Sequence, residues 1–240
     1  MPPRRAIDRH EREQAEGFAE HSVGSSVGCR VEMFPLPFPL MSAAQIVREQ
    51  VAATPVRGFV AAAEIPGSRH AVECELSRLA AAGELVRARK GLYWKGPKTR
   101  VGMPFPHPGE VAIEVAGIGA GPAELSAAHL LGLTSQVPAV EVIAVPGRTP
   151  APVRGARFVS RSIDRRILGL RPAEIAIIEV LRAGPQAVEV EWAEVGAVVE
   201  RLVSAGEVRV ELVAEQVRNE HHIDTRERWV EIVDAARITA

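Results

Sequence analysis

The sequence predicts an α+β protein: an N-terminal winged helix-turn-helix, then a mixed α/β C-terminal domain in which residues 171–215 read as a second winged-helix-like unit. Three observations predict it. Apolar residues recur at helical spacing behind Ser42 and again behind Ser68. A basic stretch, RARKGLYWKG (residues 87–96), follows the second of these and reads as a hairpin. The stretch RLAAAGELV (residues 78–86) then returns as RLVSAGEVR (residues 201–209).

The 240 residues allow one large domain or two small ones, and 47% hydrophobic content is enough for a real core. The organisation read from the chain is an arm at 1–41, a winged helix-turn-helix at 42–100 and a C-terminal domain at 101–240. Residues 1–41 are polar and charged up to Ser26. They then run into MFPLPFPL (residues 33–40), where alternate prolines forbid helix, so a flexible arm is expected. Met41, directly before the first helix, offers an alternative translation start. No apolar h-region follows Arg4 and Arg5, and no run approaches the roughly 18 residues of a membrane span. Cys29 and Cys74 are too few for a disulfide framework, which favours a reduced, cytoplasmic setting.

Taken in order, Ser42 caps a helix whose Ile46, Val47 and Val51 share one face, and Thr54-Pro55 ends it. A short second helix is expected at residues 59–64, closed by Ile65-Pro66-Gly67. Ser68 caps a third, with Val72, Leu76, Leu79 and Ala80 inward and Gly83 at its end. Two short strands flank Lys90-Gly91. Adjacent residues on a strand face opposite sides, so Tyr93 is placed inward and Trp94 partly exposed. Further on come a helix at 110–116, a helix at 123–133, and strands at 140–147 and 156–162 joined by the turn-rich TPAPVRG. In the second copy a helix restarts at Pro172, another spans 192–205, and VRVELVA is read as a wing strand. The repeat has a plainer explanation, convergence on one helix–Gly–strand grammar.

Charge is unevenly spread. Residues 42–100 hold ten Lys and Arg against five acids, while residues 171–240 hold eight Arg against fourteen acids. Such blocks point to different partners for the two ends, solvated helix faces being the bland alternative. Three helices followed by a basic hairpin is the order of a winged helix-turn-helix, with the third helix in the major groove and the hairpin as wing. Helical phase turns Arg69, His70, Glu73 and Ser77 outward. The candidate DNA-contacting set is therefore these four with Arg57, Ser68, Arg87, Arg89, Lys90 and Lys95. Arg87, Arg89, Lys90 and Lys95 suit phosphates; Arg69 suits either a guanine edge or a phosphate. Ser68 reads first as a helix cap, and Arg78 as an ion-pair residue. The second copy replaces the wing cations by Val210, Leu212 and Val213, beside Glu211 and Glu215. That surface repels phosphates and reads as a protein contact.

Catalytic chemistry finds no support. There is no GxSxG, no P-loop, and no cofactor motif, and the glycine-rich 117–121 lacks the context of a dinucleotide loop and reads as a flexible turn. His221-His222 with Asp224 lacks a third metal ligand at suitable spacing and reads as a polar loop. His129, on an apolar helix, reads as a core histidine. No cofactor and no metal are expected.

The order of these motifs resembles a known family. A winged helix ending in a basic strand and GLYW precedes LSAAHLLGLTSQVP (residues 125–138) and then EVIAVPGR (residues 141–148). In this the chain resembles the abortive-infection AbiEi-type antitoxins of bacterial toxin–antitoxin systems, over roughly residues 42–181. The resemblance implies an N-terminal domain that binds inverted repeats in the operon's own promoter and represses it. It also implies a C-terminal domain with antitoxin activity against a nucleotidyltransferase-like toxin encoded next door. In several such systems no stable antitoxin–toxin complex is seen, so direct contact stays open. Two inverted half-sites imply a homodimer or two copies side by side on DNA. The rival reading is a winged-helix regulator whose C-terminal domain senses a small molecule; an interaction scaffold without DNA binding is a third.

Overall fold

The computed structural model describes residues 41–236. The expected N-terminal arm and Cys29 lie outside the described residues. Helix α1 (Ala43–Ala53) starts on a capping box: the Ser42 hydroxyl accepts from the Gln45 amide, and the Gln45 side chain takes the Ser42 N–H. It buries Val47 and Val51 against α2 (Arg69–Ala81), which contributes Val72, Leu76 and Leu79. Ser68 occupies the N-cap position of α2, but its side chain makes no cap bond. Helix α2 ends on Gly83 at φ 71°, where Gly83 and Glu84 N–H groups return to Ala80 and Leu79 carbonyls.

Between the helices the expected second helix is absent. Residues 58–61 instead form strand β1 (Gly58–Ala61). It pairs antiparallel with β3 (Leu92–Lys95), which also pairs with β2 (Val86–Arg89), in the order β1-β3-β2. Six residues make less than two helical turns and repay helix nucleation poorly. As a strand, Gly58–Ala61 satisfies the backbone of β3 along its other edge. Both faces of this sheet are covered. Tyr93 turns toward α2, and Trp94, expected to be partly exposed, is buried at 3% on the opposite face with Leu92. A Cβ on Gly96 would sit 2.0 Å from the Trp94 ring, so glycine is required for the ring to lie there.

The remainder begins with α3 (Pro108–Ala116), β4 (Gly121–Pro122) and α4 (Glu124–Leu130), followed by β5 (Glu141–Pro146), β6 (Ala156–Arg161) and α5 (Asp164–Ile167). It ends with α6 (Pro172–Ala183), a 3-10 turn at Pro185–Ala187, α7 (Trp192–Ser204), α8 (Val210–Asn219) and α9 (Ile223–Ala236). Strand β5 is the middle strand, antiparallel to β4 and parallel to β6. It is buried along its whole length. Ile143 and Val145 face a small cluster with Ala112, while Val142 and Ala144 join the large helical core of α4 and α6–α9. Residues 42–100 keep their own cluster around Val47, Leu76 and Tyr93.

Three further expectations change. VRVELVA is not a wing strand but the start of α8, because Val210, Val213, Ala214 and Val217 bury one helical face. The 171–215 segment therefore has helices where a second wing would stand. The turn at 117–121 is exposed at Gly117 and Ile118 but closely packed from Gly119 on: a Cβ on Gly119 would meet the Arg165 carbonyl at 2.7 Å, and one on Gly121 would meet Ile175 at 2.8 Å. His129 is exposed, since the buried face of α4 is Ser126, Ala127 and Ala128. Among the described residues no helix is long and apolar enough to cross a membrane.

Candidate nucleic-acid interface

The exposed end of α2 and the β2–β3 turn lie side by side. Arg69 opens α2, and its Nη2 is 3.9 Å from where a Cβ on Gly91 would stand. Gly91 has φ 76°, which the tight Lys90-Gly91 turn requires. Lys90 and Arg87 are exposed and make no ion pair among the described residues. Arg69 donates to Glu73 four residues on at 3.0 Å, an exposed pair of small energetic weight. His70 is exposed, with a ring nitrogen 3.6 Å from Cys74 Sγ. Ser77 is also exposed, and its hydroxyl lies 3.1 Å from the Tyr93 hydroxyl. That bond ties the hairpin to α2 and fixes the angle between them.

Other members of the predicted set are placed elsewhere. A bulge between Arg87 and Arg89 leaves Arg87 opposite Tyr93 but Arg89 opposite Leu92. Cross-strand partners share a face, so Arg87 lies on the α2 side and Arg89 on the other. There Arg89 helps line a groove of about 510 Å³ with Phe105, Val111 and Arg154, and its Nη1 is buried without a partner. Lys95 is a structural residue: its ammonium donates to the carbonyls of Val51, Ala52 and Thr54 at 2.7, 3.2 and 2.6 Å, closing the C-terminus of α1. Arg57 has a left-handed backbone, donates its N–H to the Lys95 carbonyl, and pairs with Glu110 of α3 at 3.0 Å. It braces the sheet against α3. Arg69, His70, Ser77 and Arg87 thus share one surface, with Glu73 and Ser68 on its margin; Lys90, at the turn, borders the groove that Arg89 lines, and Arg57 and Lys95 lie elsewhere.

Sequence reading found Arg78 as an ion-pair residue but missed the rest of its cluster. Arg78 and Arg48 both donate to Glu75 at 2.8 Å. The two Arg78 hydrogen bonds, and then the one from Arg48, hold the Glu75 carboxyl down to about 2 against the opposing effect of burial. Also missed was the role of the GLTSQVP turn. The Ser135 amide and hydroxyl and the Gln136 side chain all donate to Glu189, ahead of α7. The Ser135 amide first, then Gln136, bring the Glu189 carboxyl down to about 2. Those residues fasten the α6–α7 connection to the end of α4. A third cluster is fully internal: Arg165, at 0% exposure, bridges Glu179 and Glu220. No three His, Cys, Asp or Glu side chains gather as a metal site among the described residues.

No protein-family model matches the chain, and no curated protein matches it. Among solved structures, the crystal structure of RV2827C protein from Mycobacterium tuberculosis is similar at 17% identity, over 81% of this chain and 76% of that one, with a TM-score of 0.39.

Proposed function

We propose that residues 42–100 are a winged helix-turn-helix that binds double-stranded DNA at inverted repeats in the chain's own promoter, and that the chain is an autorepressing antitoxin. One observation carries the DNA half. The first turn of α2 and the hairpin turn are adjacent: Arg69 and Arg87 lie on the α2 side, and the exposed Lys90 sits at the turn beside them. A helix with a cationic first turn suits the major groove, and unpaired cations on a hairpin suit the flanking phosphates. The antitoxin half rests on the resemblance in residues 125–148 and acts through residues 101–240 on a toxin encoded nearby. Two copies occupy the two half-sites.

The test is anisotropy titration of the full chain on DNA from upstream of its gene, across a salt series. Arg87→Ala and Lys90→Ala should each weaken promoter and scrambled DNA alike and lower the log–log salt slope by about one unit. Arg69→Ala should narrow the gap between promoter and scrambled DNA, by ~1–3 kcal/mol if it reads a base. A wild-type chain that does not prefer its promoter sinks the DNA half. A neighbouring gene whose growth arrest this chain fails to relieve sinks the antitoxin half.

A further inference from the structure

The His221-His222 pair lacks metal-ligand company, yet it lines a cavity of about 420 Å³ where four elements end. Ser160, Arg161 and Ser162 come from the end of β6, Arg182 from the end of α6, and Asn219 from the end of α8. The two histidines immediately precede α9, a helix of 14 residues whose first amides carry the positive end of its dipole. The volume lies within the ~300–1,000 Å³ of small-molecule sites. Every side chain that lines the cavity is polar or charged.

The electrostatics favour an anion. Glu220 also lines the cavity, but its carboxylate is already committed: Oε1 accepts from Arg165 and Gln216, and Oε2 from Arg182. Glu179, behind it, accepts from Arg161 and Arg165. Within this network three arginines face two glutamates and leave one positive charge over, while the nearby Asp164 accepts from the Ser162 hydroxyl at 2.7 Å. The positive charge left over falls to Arg182, whose single bond to Glu220 is long at 3.4 Å and whose side chain is 35% exposed. Most of its planar fork stays available. Arg161, by contrast, is held by Glu179 and the Ser160 carbonyl, so it contributes charge more than donors. We propose that this cavity binds a small phosphate-bearing anion, held by the Arg182 guanidinium and by N–H groups of His221, His222 and Asn219.

The proposal is independent of DNA binding and is tested with the full chain. Isothermal titration calorimetry with pyrophosphate as probe should show saturable binding. Arg182→Ala should weaken it by about tenfold or more, since a charge-assisted hydrogen-bond donor is lost. His221→Ala should weaken it by a smaller factor. His221 is exposed and carries no hydrogen bond among the described residues, so this variant is informative even if Arg182→Ala disturbs the fold. Arg154→Ala, an exposed arginine outside the cavity, should leave affinity unchanged. Absence of saturable binding by the wild type, an unaltered affinity in His221→Ala, or an equal loss in Arg154→Ala would overturn the proposal.

Discussion

The Lys95 ammonium has three N–H donors, and three main-chain carbonyls at the end of α1 accept them. Lys90, five residues away on the same hairpin, is exposed at the turn. The two lysines therefore separate fold from binding. Lys95→Met should cost ~1–3 kcal/mol, as charge-assisted bonds at a helix C-terminus are lost, and lower the urea midpoint. It should leave the salt slope of DNA binding unchanged. Lys90→Ala should do the reverse. A lowered salt slope in folded Lys95→Met would place that ammonium on the phosphates instead. Much of this surface was legible in sequence, because helical phase alone turns Arg69, His70 and Ser77 outward. Lys95 and Arg89 were not. A side chain that reaches 41 to 44 residues back to cap a helix leaves no mark on local periodicity. A bulge likewise breaks the alternation from which Arg87 and Arg89 were placed together.

At the scale of elements, the RLAAAGELV and RLVSAGEVR repeat marks one device used twice. Gly83 and Gly206 both follow a 13-residue helix at φ 71°, each followed by an N–H that returns to the helix's last turn. The chain then continues as a strand after Gly83 and as a helix after Gly206. Shared caps fix how a helix ends and leave open what comes next, and so the second wing was expected where α8 stands. The deciding signal was the run from Val210 to Val217, longer than the three-residue alternation that suggested a strand. The missing second helix has a different origin. Strand β1 exists because β3 offers it an edge, a tertiary cause that no window around residues 58–61 contains. The caps themselves are testable. A Cβ on either glycine meets nothing within 4 Å, so only the left-handed backbone opposes a side chain. Gly83→Ala and Gly206→Ala should each cost about 1–2 kcal/mol in chemical denaturation. Asparagine, which tolerates that backbone better, should cost less at both sites. A neutral Gly206→Ala would show that its cap does not need glycine.

For the whole molecule, the carboxylates that anchor its separate cores share one response to acid. Glu75 joins α1 to α2 through Arg48 and Arg78, and its carboxyl is held down to about 2. In the helical core, burial pushes Glu174 up, but hydrogen bonds from Arg209 and from the Arg171 and Arg209 amides bring it below its ordinary value. Glu179 is likewise pushed up by burial and brought down more strongly by Arg161 and Arg165. Each carboxyl binds its proton more weakly in the folded chain than in the unfolded one, whose ordinary value is 4.5. Their stabilisation is thus complete above pH ~5 and is lost as pH falls from 4.5 toward the folded values. Melting temperature should be insensitive to these groups above pH ~5 and drop steeply between about pH 4.5 and 2. Glu75→Gln should lower stability at pH 7 while flattening the acid limb. Glu179→Gln should be the more damaging of the two, since it leaves Arg165 fully buried with one carboxylate fewer; breaking such a pair costs ~3–5 kcal/mol. Calorimetry across pH 2–7 on the wild type and both variants reads all of this. An acid limb in Glu75→Gln as steep as that of the wild type would mean that the Arg48–Glu75–Arg78 cluster does not hold α1 to α2.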